Sequence, residues 1–590
     1  MDTEGVRTLN TDVAVVGSGG AGLMCVLHLA KNAPELAVTV VSKGAIARSG
    51  CTRMVQGGYN AVLDPDDSLE LHFRDTLEGG KYLNDQEMAW TLVNDAPRTI
   101  EELESRVGCS FDRTEDGRIR QKAFGGQNFD RTVHKSDLTG MEIMGKLLEQ
   151  MERIRPRELG DTRALDLLFD ADGELAGLTV LDVMSGEVYV LRARVVVVAA
   201  GGPATMYKIA APAREKTGDG VAMCYRAGLE LRDMEMLQFH PTGLLAGESV
   251  LTGAVLEEGL RGAGAHMYNA EGERFMGRYD PERMERSTRD VVSRASYTEI
   301  MAGRGTPAGG VMLDISHLGP EEVERRFPGM TSRSRIIGSD LARGPIEVSP
   351  TAHFHMGGVI VDKHCQTAIP GLLVAGEDSG GVHGANRLGG NGVAESTIFG
   401  GRAGDRAALT ARERKLRDPE PSQVSESAVR AMAPLRRGGS TNPFQATQEL
   451  KDAMWEGCGV ARDRQGLLRA RNRIEELTER TADTAVPGPR QANYAWHEAL
   501  DLSNQLEVAR VMVESALIRE ESRGSHYRSD HPEQDDQRWL RYIVTRRGPD
   551  GGVGVDLRPV EFSRRRPEPT DPPAKDLERT EPSGELGRRK

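Results

Sequence analysis

The chain has 590 residues, of which 38% are hydrophobic and 28% charged, and its formal net charge is −13. That length suits roughly two to four domains, and the acidic balance gives nucleic acid no electrostatic footprint. No run reaches the roughly 18 to 20 consecutive apolar residues that would span a bilayer.

The opening residues "MDTEGVRTLN" have neither a basic n-region nor an apolar h-region, so no secretory leader is expected. Cys25, Cys51, Cys109, Cys224, Cys365 and Cys458 are scattered, and no two form a CxxC pair. This spacing argues against a disulfide framework and for a reducing cytosol. It also argues against an iron–sulfur cluster in this chain, which would need grouped thiolates. No metal ligands are expected.

In chain order, "DVAVV" (12–16) predicts a buried strand, "GSGGAG" (17–22) a tight turn and "LMCVLHLAK" a helix. The run "AVTVVS" (37–42) completes a βαβ unit. Strand, glycine turn and helix together make GxGxxG meaningful as a dinucleotide site. Gly17 would permit the turn, Gly19 and Gly20 would let a pyrophosphate approach, and Gly22 would let helix and strand pack closely. Phosphates would sit at the helix N-terminus, where free N–H groups and the dipole favour anions. The acid that usually holds the adenosine ribose is missing, because Ser42 and Lys43 stand at the end of the second strand. A flavin site with other ribose contacts is therefore expected in preference to NAD.

"SGCTRMVQGG" (49–58) follows as a loop suited to lie against a flavin. Two further apolar runs ending in glycine, "RVVVVAAGG" (194–202) and "GLLVAGED" (371–378), read as buried parallel strands. They are too far apart for one crossover, so a cap over 241–349 is expected between them, rich in charge, Gly and Met. The fold class is thus α/β. A Rossmann-like FAD-binding domain (1–240 with 350–405) carries an inserted α+β capping domain (241–349), and a helical bundle (420–520) follows. In the bundle Leu506, Ala509, Val513 and Leu517 form one apolar stripe. An extension (521–562) precedes a Pro-rich, charged stretch (563–590) expected to be disordered.

With "QFHPTG" (238–243) the chain's resemblance to a known family becomes specific. The blocks "GSGGAG", "QGG", "AFGGQ", "TGDG", "QFHPTG", "RGAG", "TRDVVSR", "SPTAHFHMGG", "VHGANRLGGN" and "REESRGSHYR" stand in its order over most of the chain. They are similar to the flavoprotein subunits of succinate dehydrogenase and fumarate reductase, with L-aspartate oxidase as a relative.

The resemblance implies interconversion of succinate and fumarate by hydride transfer to or from FAD. His240, His353 and Arg387 would bind the substrate carboxylates, and Arg289 would be the catalytic arginine. An arginine of pKa near 12.5 or higher can serve only if its proton is handed on, and Glu258 and Arg261 would form that relay. For the flavin, the resemblance implies Asp219, Glu377, Gln56, Gly57, Gly58, Gly392 and Val393. His355 lies two residues from His353 in an extended segment. It is expected to point away and is left out of the substrate shell.

The chain departs from the family at two places. Relatives usually have a Thr before the relay Glu, and here Glu257 stands there, so either Thr252 takes the hydroxyl-donor role or the contact is absent, while Glu257 is expected to turn away. The family's flavin-linking histidine is replaced by Gly50 or Cys51, and no histidine lies between His28 and His72. FAD is therefore expected to be dissociable, with Cys51 a half-buried, unreactive thiol beside it. The glycine–cysteine form also resembles soluble thiol-dependent fumarate reductases, which use separate electron-accepting subunits. A missing covalent link lowers a flavin's potential, which tilts the expectation toward fumarate reduction.

An iron–sulfur subunit is the implied partner, with quinone-binding anchor subunits reached through it. The location is then the cytoplasmic face of a membrane. Two alternatives stand beside this reading, an L-aspartate oxidase and a catalytically silent flavin-binding assembly subunit. The retained Arg289, Glu258 and Arg261 speak against the silent form.

Overall fold

A computed structural model describes residues 7–567 except 437 and 550. Strand β1 (Thr8–Val16), helix α1 (Gly20–Asn32) and strand β2 (Val38–Val41) form the expected βαβ unit, with β1 and β2 parallel. The seven-stranded sheet runs in the order Arg157–Leu159, β2, β1, Val188–Val198, Leu175–Asp182, Thr162–Phe169. Strand Leu372–Val374 also pairs with Val188–Val198, in parallel. Val13, Val15, Val40 and Val195–Val198 are fully buried, as continuous apolar runs in a two-sided parallel sheet require. The sheet is not wholly parallel. Thr162–Phe169 and Leu175–Asp182 form an antiparallel pair at one edge.

Leu237–Leu244 and Ile346–His355 leave this domain as an antiparallel pair and carry the cap between them. Val311–Asp314 and His266–Tyr268 extend the cap sheet, which packs its own core of Met267, Phe275, Val292, Leu313 and Val348. A β-bulge lies on the pair, since Gln238 faces Phe354 while Phe239 faces Ala352, leaving His353 without an opposite residue. Regular pleating would put residues 353 and 355 on one face. The bulge is what separates them. His353 borders the cavity below, and His355 Nε2 is 2.9 Å from Met234 O inside the core. The expected direction of His355 therefore comes from an irregularity in the strand and not from its spacing.

Helices Pro421–Arg436, Pro443–Gly457, Arg464–Thr481 and Tyr494–Ile518 follow. Leu506, Ala509, Val513 and Leu517 are buried, but so are Val508, Val511 and Met512. The last helix is enclosed by the bundle and the FAD-side helix Asp219–Arg226 together, so it buries more than one stripe. The extension returns to the first domain, where Arg541–Arg547 pairs with Leu231–Arg232. The disorder expected from residue 563 does not hold at the start of that stretch: Arg564 N and Arg565 N both donate to Gln86 Oε1, at 2.8 and 2.9 Å. Residues 568–590 lie outside the described part. No helix among the described residues is long and apolar enough to cross a membrane.

Candidate active site

The C-terminal ends of the parallel strands and the cap enclose a cavity of about 1490 Å3. Sites for drug-sized ligands run to roughly 300–1000 Å3, so this one has room for a dinucleotide together with a second small molecule.

At one end lies the glycine turn. Gly17 sits at φ +110°, and a Cβ there would come within 2.0 Å of Ala199 O. A Cβ on Gly22 would come within 2.0 Å of Gly17 O. Helix α1 begins at Gly20 with no side-chain cap and no acidic residue in its first turn. The Gly20 N–H donates to Thr52 Oγ1 at 3.0 Å. The dipole and the remaining first-turn N–H groups make this end an anion site, so the chain's residues fit a pyrophosphate. Ser42 Oγ is 3.0 Å from Ser18 Oγ. Lys43 Nζ donates to Asp219 at 2.8 Å and to Asp501 at 2.9 Å. Burial opposes ionisation of Asp219, but Lys43 and Arg163 hold its carboxyl far below the ordinary range.

Gln56, Gly57, Gly58, Gly392 and Val393 line the cavity. Cys51 also borders it, and its Sγ accepts the Ala213 N–H at 3.4 Å. Burial raises the pKa of this thiol against the opposing charge of Lys216, so it is protonated near neutrality. Glu377 pairs with buried Lys216 and accepts the His355 N–H at 2.9 Å.

At the far end the structure brings Arg289, Glu258, Arg261, His240, His353 and Arg387 together. Arg289 donates to Glu258 Oε2 through Nε at 2.8 Å and Nη2 at 2.6 Å. Arg261 Nη2 donates to the other oxygen, Oε1, at 3.0 Å and its Nη1 to Glu285 O at 2.6 Å. Burial would raise the pKa of Glu258, but the two guanidiniums pull it below the ordinary range. Burial also lowers that of Arg261.

His240 and His353 lie with ring centroids 5.4 Å apart. Burial first, and then Arg289, drive both well below the usual histidine range, so both are neutral at pH 7. Thr242 N donates to His240 Nδ1 at 3.3 Å, which leaves the proton on Nε2. Arg387 stacks at 4.3 Å on the Phe354 ring, and burial together with Arg289 pulls its pKa down to about 9. It has no ion pair among the described residues, and its Nε has no partner. Cations thus outnumber carboxylates at this end, as a site for a dianion requires.

Two expectations need correction. Thr252 was expected to offer its hydroxyl to substrate. That hydroxyl instead donates to Gly247 O at 2.8 Å and accepts the Ala246 N–H at 3.1 Å, so it is spent on its own loop. Glu257 was expected to turn away, yet it borders the cavity. Its charge is met there by Lys122 Nζ at 3.0 Å.

Site residues absent from the sequence-based expectations include Lys122, Lys216 and Gln238. Gln238 Oε1 accepts from Arg289 Nη1 at 2.9 Å and from Arg387 Nη2 at 3.2 Å, joining the two guanidiniums. A signal was available for Gln238, which lies two residues before His240 on the same strand and therefore on the same face.

A dinucleotide turn, a capped cavity with room for a flavin and a buried acid–base cluster define an FAD-dependent oxidoreductase. Comparison with known proteins narrows the class. Residues 12–393 match the family described as FAD binding domain, and residues 447–573 match the fumarate reductase flavoprotein C-terminal family. A chain of the fumarate reductase (CoM/CoB) from Methanothermobacter marburgensis is 43% identical over 91% of this chain and 97% of its own length.

Among solved structures, an Escherichia coli quinol fumarate reductase FrdA variant superposes with TM-score 0.89 at 33% identity, covering 96% of this chain and 99% of that one. Mycobacterium smegmatis Sdh1 in complex with UQ1 gives 0.84 at 36% identity, covering 95% and 96%. The chain belongs to the succinate dehydrogenase and fumarate reductase flavoprotein subunit family.

Proposed function

We propose that this chain is a catalytic subunit that interconverts succinate and fumarate. The observation that carries the reading is the Glu258 carboxylate bridging Arg289 and Arg261 beside neutral His240 and His353. Bound FAD supplies the hydride acceptor or donor. Every other part falls to the chain's own residues.

Arg387 and His353 hold one substrate carboxylate, Arg387 with its partnerless Nε and His353 as a neutral donor. His240 offers its Nε2 proton to the other carboxylate. In the reducing direction a hydride reaches one olefinic carbon of fumarate and Arg289 gives a proton to its neighbour, which completes succinate. The proton is replaced through Glu258 from Arg261, so the guanidinium never remains deprotonated. In the oxidising direction the same groups run in reverse. Gln238 fixes the separation of Arg289 and Arg387 as a positioning residue, and the cap excludes water.

FAD is dissociable in this reading, because no histidine stands in residues 49–58 and Cys51 is a protonated thiol. Acid precipitation is expected to leave the yellow colour in the supernatant, and colour in the pellet would show a covalent link. Electrons pass to or from an iron–sulfur partner, and any membrane attachment runs through that partner.

The test uses FAD-loaded protein with succinate and an artificial acceptor, fumarate and a reduced dye, and L-aspartate and oxygen. Turnover of the dicarboxylate pair is expected. Turnover of aspartate alone would overturn the proposal.

A further inference from the structure

Thr252, Glu257 and Arg333 of the cap border the same cavity as His240. The first two are committed, Thr252 to its own loop and Glu257 to Lys122. Arg333, on helix Pro328–Ile336, makes one hydrogen bond, from Nη1 to Val255 O at 2.8 Å. The opposing charge that acts on it is Asp137, a buried carboxylate that accepts the Met330 N–H at 2.8 Å, and the two form no ion pair among the described residues.

Val255 is bridged to Gly243. The next residue, Leu256, accepts the Thr242 hydroxyl at 2.6 Å, and Thr242 N reaches His240. Arg333 is therefore tied to the strand that presents His240, while Arg387 belongs to the wall of Phe354. Among the cavity-lining guanidiniums, Arg333 of the cap and Arg387 and Arg214 of the first domain have no carboxylate partner among the described residues. Keeping such a charge half-buried costs free energy that an anionic ligand would return. The cap's other cavity-lining guanidinium, Arg289, is already matched by Glu258.

We propose that Arg333 binds the second carboxylate of an extended dicarboxylate, the end that Arg387 does not hold. Two guanidiniums from opposite domains would select dianions over monoanions and favour closure of the cap on them. This rests on the dicarboxylate reading of the site given above.

The test compares the FAD-loaded wild type with Arg333→Met and Arg333→Lys, titrating succinate and butyrate against the flavin absorbance. One lost charge-assisted contact is expected to weaken succinate binding in Arg333→Met about 10- to 100-fold, with butyrate within about twofold of wild type. Steady-state fumarate reduction is expected to show the loss in KM more than in kcat. Arg333→Lys keeps the charge without the fork and is expected to fall between the two. It carries the test if the methionine variant does not fold. Equal weakening of succinate and butyrate would assign Arg333 a purely structural hold on Val255, and no change in either would remove it from the site. If the wild type itself binds no dicarboxylate, the function proposed above fails, whatever the variants do.

Discussion

Glu258 accepts from Arg289 with one oxygen and from Arg261 with the other, and all three side chains are buried. A carboxamide at this position would turn an NH2 group toward one guanidinium and leave both charges without an anion. Glu258→Gln is accordingly expected to lower kcat for fumarate reduction by about 10²- to 10⁴-fold, the range for a lost acid–base group. It is also expected to cost about 3–5 kcal/mol in urea unfolding, as breaking a buried pair does. A kcat within about threefold of wild type would show that Glu258 relays no proton.

Arg289 and Arg387 were legible from motif blocks, because the residue types that a dianion needs stood inside them. Glu257 and Lys122 were not legible as a pair. They are far apart in sequence, and only the packing of the cap on the strand Gln121–Lys122 brings them together.

Helices α1 and Asn391–Glu413 meet through His28, whose ring lies 2.8 Å from Asp405 and 3.1 Å from Glu102. Burial lowers the histidine pKa, but the hydrogen bonds to Asp405 and Glu102 win and raise it to about 9. Glu102, through the same hydrogen bond, is lowered to about 2. The two shifts describe one interaction and count once.

A folded pKa above the unfolded value of about 6.5 stabilises fully below pH 6.5, and that stability is lost as pH rises through 9. His28→Asn is therefore expected to destabilise the protein by on the order of 2 kcal/mol at pH 6. Urea midpoints of variant and wild type are expected to converge as pH rises from 6 to above 9. A gap that stays constant with pH would contradict the assignment.

Strands and their parallel pairing were readable at this scale because buried parallel strands show continuous apolar runs. The bulge at His353 was not, since one unpaired residue leaves no periodic trace in so short a strand.

The molecule joins a dinucleotide turn, a capped cavity and an acid–base cluster through a chain that leaves the first domain at residue 237 and returns at 355. Strands ending in glycine and the long interval between them made that architecture visible in sequence. The pairing of the extension with Leu231–Arg232 was not visible, because two-residue strands carry no pattern.

In the proposed function the whole molecule serves one cavity that reduces fumarate with Arg289 as proton donor. The most direct test of that claim is a single turnover. Wild type and Arg289→Lys, both loaded with FAD and reduced anaerobically with dye, are mixed with fumarate while the flavin absorbance is followed. The wild type is expected to reoxidise, and the variant, with an unchanged oxidised flavin spectrum, to do so slower by at least about 10²-fold. Reoxidation of Arg289→Lys at the wild-type rate, or a reduced wild type that fumarate leaves unchanged, would contradict the claim.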